Sequence, residues 1–114
     1  MRRISTHILD IGEGKPASDV PVRLEKQLTA GDWRVLNLQR TDLNGRCPQL
    51  LPEDEDLSVA VYRLVFDTGS YYARQKIAAL YPVVEVIFQA RDGESHFHIP
   101  LLLSPNGYTT YRGS

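Results

Sequence analysis

The sequence predicts an all-β domain: about seven or eight short strands, folded as a sandwich or barrel, with one short helix. Three observations carry that prediction. Most of the apolar pattern has period two, as in strands with one buried face. Glycine, proline and asparagine clusters punctuate the chain at short intervals, as turns do. Val, Ile, Tyr and Phe concentrate in the alternating segments. The 114 residues contain no repeat, linker or low-complexity stretch. The chain therefore reads as a single domain, 1–114, large enough to bury one core.

Ile4 to Ile11 reads as the first strand, broken by Gly12, Gly14 and Pro16. Val20, Val22 and Leu24 alternate with Pro21, Arg23 and Glu25 and predict a half-buried second strand. Gly31-Asp32 turns into a third strand, Trp33 to Thr41. Thr41 to Asp56 is loop-like, holding Asn44-Gly45, Pro48, Pro52 and the acidic run Glu53 to Asp56, with a short edge strand expected near Gln49 to Leu51. Ser58 to Phe66 is the next strand. Asp67 or Thr68 is positioned to cap a helix over Ser70 to Ala79, stopped by Pro82. Val83 to Arg91 is a strand, and Asp92-Gly93 predicts a tight hairpin that pairs Glu94 to Leu103 back onto it. Pro105-Asn106-Gly107 turns into a last strand, Tyr108 to Tyr111.

Thirteen basic residues against 14 acidic ones leave a net charge of −1, which argues against a nucleic-acid partner and against an acidic disordered tail. Cys47 is the only cysteine, so no intrachain disulfide is expected. After the basic Met1-Arg2-Arg3 no apolar run follows that would serve as a signal peptide, and no stretch approaches membrane-spanning length. A cytoplasmic protein without membrane association is the expectation.

Side chains two apart on a strand share a face. In Glu94 to Leu103, Phe97, Ile99, Leu101 and Leu103 form a core face, and His96, His98, Pro100 and Leu102 the opposite one. In the first strand Ile4 and Ile8 look inward, leaving Ser5, His7 and Leu9 outward. All three histidines thus fall on outward faces that also carry apolar residues. A contiguous patch of that mixture marks an interface or a ligand site. The inference is that this sheet packs against another copy of itself, with the histidines along the seam. The alternative is a plain surface with incidental histidines.

Histidine titrates near working pH, so His7 and His98 are candidate general bases; His96, nearer the hairpin turn, is the weaker one. His96 and His98 could instead pair on zinc with His7 or a carboxylate as third ligand, but the spacing matches no zinc signature, and no metal is expected. Arg46 lies between Gly45 and Pro48, and its planar fork suits an anion or a carbonyl edge; the residues alone favour a plain surface arginine. Cys47, although beside a cation, has no histidine paired to it and reads as packing. Ser104 lacks the context of a nucleophile elbow, and Tyr71-Tyr72 reads as packing. The ending Tyr108 to Ser114 is strand-favouring to its last residues, unlike most termini.

Several of these segments together resemble the transthyretin-like 5-hydroxyisourate hydrolases. They are Ser5-Thr6-His7-Ile8-Leu9-Asp10 with Gly14-Lys15-Pro16-Ala17, Asn44-Gly45-Arg46, Phe66-Asp67-Thr68-Gly69, His96 through Pro105, Gly107-Tyr108 and Tyr111-Arg112-Gly113-Ser114. The resemblance runs from about Ile4 to Ser114. It implies a transthyretin-like (prealbumin-like) β-sandwich of two four-stranded sheets with one short helix. It implies a homotetramer with active sites where two dimers meet. It further implies hydrolysis of 5-hydroxyisourate to 2-oxo-4-hydroxy-4-carboxy-5-ureidoimidazoline in urate degradation, with no cofactor and no metal.

Carried over residue by residue, the resemblance makes His7, Arg46, His98 and Ser114 catalytic and His7, Arg46, Tyr111, Arg112 and Gly113 substrate-binding. One of His7 and His98 would activate water while the other holds substrate or relays the proton. Arg46 would bind the ring and stabilise charge at the attacked carbonyl. Three rivals stand beside this: a binding protein of the same fold, as transthyretin is; a metal-dependent hydrolase using His96 and His98; and an interaction domain without chemistry.

Overall fold

A computed structural model describes residues 2–29 and 31–114; Met1, the first residue of the basic start, lies outside it. The elements are β1 (Arg3–Asp10), β2 (Lys15–Pro16), β3 (Pro21–Thr29), β4 (Asp32–Arg40), β5 (Arg46–Cys47), β6 (Val61–Phe66), α1 (Thr68–Arg74), β7 (Val84–Gln89), β8 (His96–Ser104) and β9 (Gly107–Thr110). One sheet has the order β4-β3-β6-β7 and is antiparallel throughout. The other has the order β2-β1-β8-β9, with β5 paired to β1 as a two-residue addition. The result is the expected two-sheet sandwich with one short helix; one sheet has four strands, and β5 makes the other five rather than four. Among the described residues no helix is long and apolar enough to cross a membrane.

The inward faces interdigitate as the alternation predicts. Ile4 and Ile8 of β1, Val22 and Leu24 of β3, Tyr62, Leu64 and Phe66 of β6, and Leu101 of β8 are fully buried. Burying each such side chain is worth about 1.5–3 kcal/mol before the entropy of ordering it is counted.

Three expectations are corrected. The expected hairpin at Asp92-Gly93 does not form: β7 pairs with β6 in one sheet, and β8 pairs in parallel with β1 in the other. The turn carries the chain between sheets, so the two segments meet face to face across the core, with Phe88 and Phe97 centroids 5.8 Å apart. The short edge strand is Arg46–Cys47 rather than Gln49 to Leu51. Pro48 has no N–H to continue the ladder, and beyond it Leu50 N–H alone reaches β1, at Ile4 O, 2.8 Å. The helix is shorter than expected. Asp67 caps it by accepting from Ser70 N–H at 3.1 Å, as predicted. It ends at Arg74, and Lys76 turns left-handed at φ 58°, which brings Ile77 and Ala79 back against the core. That helix is tied to β1 by Tyr71, whose hydroxyl donates to buried Asp10 at 2.7 Å.

Candidate active site

The outer side of the β1–β8 pair builds the site. Thr6 and Asp10 turn inward with Ile4 and Ile8, which leaves Ser5, His7 and Leu9 outside. On β8, His96, His98, Pro100 and Leu102 take the same side, as the alternation predicts. Parallel pairing sets Ser5 beside His98 and Arg3 beside His96. Antiparallel pairing of β5 sets Arg46 beside His7.

Arg46 is held by its loop. Asp42 Oδ1 accepts from the N–H groups of Asn44 (2.9 Å) and Arg46 (3.0 Å). Gly45 has φ 75°, and a Cβ there would collide with Ile8 O, so only glycine allows the loop to dock this closely on β1. Gly45 and Pro48 restrain the loop as the sequence predicts, and Asp42 adds a cap beyond that expectation.

These elements enclose a polar cavity of about 170 Å³, lined by Arg3, Ser5, Thr6, Arg46, Pro48, His96, His98 and Ser114. Ser5, nearly fully buried, lies between two imidazoles: its Oγ is 2.8 Å from His98 Nδ1 and 3.3 Å from His96 Nε2. All three histidines are held below the ordinary imidazole range. For His98 burial is the main cause, followed by the positive charge of Arg46. For His7 the order is the same, partly opposed by a backbone hydrogen bond at Asn44 and by Asp42. For His96 burial leads, followed by Arg3 and Arg112. Near neutral pH these imidazoles are therefore uncharged, the state in which one nitrogen accepts a proton.

The chain's last residues divide between two places. Gly113 N–H donates to His98 O at 2.8 Å, and Ser114 reaches the cavity. Arg112 turns away: it pairs with Glu94, donates to His96 O at 3.0 Å and lies 4.6 Å over the Phe97 ring. Tyr111 is half exposed and, with Arg112, lines a separate cleft along β7. Within one chain, the cavity thus gathers Arg46, His98 and Ser114, backed by Gly113. His7 stands next to Arg46 outside the cavity lining, and Tyr111 and Arg112 are not brought into it.

Arg3, Ser5 and Thr6 line the cavity without any local signal in the sequence that marks them as site residues. Alternation puts Ser5 on the outward face, but only the β1–β8 pairing reveals its partners. Cys47 faces inward, 1% exposed, and burial with Asp42 pushes its thiol up to about 11, which leaves it protonated and inert. Among the described residues no group of three His, Cys, Asp or Glu side chains is arranged to hold a metal ion. Chemically, the cavity combines a neutral imidazole anchored through one nitrogen with a guanidinium fork. That set can deprotonate water and stabilise negative charge forming beside it.

The model of the HIUase/Transthyretin family matches residues 4–113. The mouse 5-hydroxyisourate hydrolase is 41% identical over 112 residues, covering 97% of this chain and 94% of that protein. The structure of Klebsiella pneumoniae 5-hydroxyisourate hydrolase superposes with a TM-score of 0.86 at 35% identity, covering 100% of both chains. Sea bream transthyretin in complex with thyroxine superposes with a TM-score of 0.89 at 33% identity, covering 96% of this chain and 93% of that one.

Proposed function

The chain belongs to the HIUase/transthyretin family, and on that premise we propose that it hydrolyses 5-hydroxyisourate to 2-oxo-4-hydroxy-4-carboxy-5-ureidoimidazoline in urate degradation. The product's new carboxy and ureido groups define the reaction: water adds to a ring carbonyl and the acyl C–N bond breaks. The proton removed from water ends on the departing ureido nitrogen. His98 is the general base, since one ring nitrogen is held by Ser5 and the other is free for water. Arg46 binds the ring and stabilises the oxyanion, and the neighbouring His7 holds substrate or relays the proton. Ser114 lines the cavity and closes it over the reacting groups.

Gly113, Tyr111 and Arg112 complete the substrate-binding set in this reading. Gly113 does so through its bridge to His98, and Tyr111 from the neighbouring cleft along β7. Arg112, tied to Glu94, serves by fixing Gly113 and Ser114. The assembly is a homotetramer whose dimers meet over the His7–His98 face, where partly exposed Leu9 and Leu102 need cover. The location is cytoplasmic, with which the free buried thiol of Cys47 is compatible. The reaction requires no cofactor and no metal, so turnover survives a strong chelator.

The observation that carries the hydrolase reading over a carrier is the lining: two guanidiniums, two imidazoles and two or more hydroxyls around one small cavity. An apolar ligand has no use for them. The test follows the absorbance decay of enzymatically generated 5-hydroxyisourate. Decay accelerated in proportion to added protein is expected; decay at the spontaneous rate overturns the reading.

A further inference from the structure

We propose that Ser5 and His96 are positioning residues for His98, holding its imidazole in the tautomer that carries a proton on Nδ1 and presents a bare Nε2 to the cavity; this rests on the hydrolase reading above. A hydroxyl has one proton to donate and lone pairs to accept with. Ser5 Oγ lies within reach of both rings, 2.8 Å from His98 Nδ1 and 3.3 Å from His96 Nε2. Two directions are available to that chain. In one, His98 Nδ1–H donates to Ser5, whose O–H donates to His96 Nε2. In the other the order reverses, His98 bears its proton on Nε2, and it is useless as a base.

The cavity selects the first direction. Arg3 and Arg46 line it beside His98, and guanidiniums only donate. A lone pair on Nε2 complements them; a third N–H does not. His98 is neutral near pH 7 through burial and Arg46, so its tautomer decides whether it can accept a proton. Ser5 is 5% exposed, which leaves little access for water to replace its hydroxyl. His96 therefore works at a distance, by giving the Ser5 proton somewhere to point other than His98.

The test is a double-mutant cycle with a tautomer measurement. Ser5→Ala should lower kcat by about 10- to 100-fold, by analogy with the loss of a group that orients a metal-bound histidine, with KM little changed and the circular dichroism spectrum intact. His96→Ala should lower kcat less, and His96→Gln, whose amide oxygen can accept from Ser5, should recover most of it. The Ser5→Ala/His96→Ala double variant should be no worse than Ser5→Ala, because His96 acts only through the hydroxyl. Nitrogen-15 NMR of the wild type above the His98 titration should show the proton on Nδ1, with a mixture in Ser5→Ala. Additive losses, an unchanged kcat in Ser5→Ala, or a wild-type proton on Nε2 would each overturn the proposal. If the wild type does not turn over 5-hydroxyisourate, the hydrolase reading fails, and the NMR result alone decides the tautomer.

Discussion

Gly113 packs so closely on His98 that a Cβ on the glycine would stand 2.5 Å from His98 Cδ2. The same residue donates its N–H to His98 O at 2.8 Å, so its backbone is a template against which the imidazole lies. Gly113→Ala should turn the ring or lift the tail, since Pro100 Cγ, 3.0 Å from the same Cβ, blocks the other way out. Misplacing a reacting group by ~1 Å costs about 10²-fold. We expect kcat for 5-hydroxyisourate to fall by roughly that factor while the melting temperature stays near wild type; unchanged kinetics would show that the contact does not set the ring.

His98→Ala should cost about 10²–10⁴ in kcat, the value of a general base. The wild-type profile should follow the sign of the His98 shift. Its pKa is lowered, so the base is fully available at neutral pH and is lost only as pH falls below the ordinary histidine range. His7→Ala should also reduce turnover, and near-full activity in either variant removes that residue from the mechanism. A kcat/KM profile from acid to neutral pH measures both.

Arg46→Met should act twice. Loss of the guanidinium removes stabilisation of the oxyanion, worth about 10² in kcat or more. It also removes a positive charge that lowers His98 and His7, so both pKa values rise. The acid limb of the kcat/KM profile should therefore move to higher pH. A limb that stays in place, or moves lower, contradicts the proximity of this charge to the base.

Cys47 should resist alkylation. Its thiol is buried and pushed up to about 11, so below pH ~9 almost no thiolate is exposed to reagent. Iodoacetamide should label it in denaturant and not in the native protein, and native treatment should leave turnover intact. Inactivation that tracks labelling of Cys47 would return the thiol to consideration as a nucleophile.

Tyr71→Phe should weaken the fold and spare the chemistry. The lost bond is a buried hydroxyl donating to the Asp10 carboxylate at 2.7 Å. Hydrogen bonds to charged groups are worth about 1.5–3 kcal/mol, and Asp10 stays buried with only Oδ1 still accepting, from Glu13 N–H at 3.0 Å. Urea denaturation should show a loss in that range, with kcat and KM unchanged.

Much of the site's surroundings was legible because it depends on near neighbours. Alternation sorted Ile4 and Ile8 from Ser5 and His7, and Phe97 and Ile99 from His96 and His98, and the burial agrees except at Ser5, which is buried on the outer face. Asp67 was recognisable as a cap because a capping side chain reaches only a few residues along its own chain. The helix end at Arg74 was not, since the pull of the core on Ile77 outweighed local helix pattern.

By itself the sequence determined an all-β fold and the two faces of each strand, consequences of side-chain period and of short-range turn and cap chemistry, while its motifs carried the family resemblance that implies the sandwich. Only the tertiary structure decided that β8 lies parallel to β1 rather than folding back on β7, that Arg112 faces Glu94, and that Ser5 stands between His96 and His98. The bond from Ser5 to His98 spans 93 residues of sequence. Backbone pairing is chemically alike for any two strands, so partner choice rests on how all the buried faces fit at once, and no local pattern records that fit.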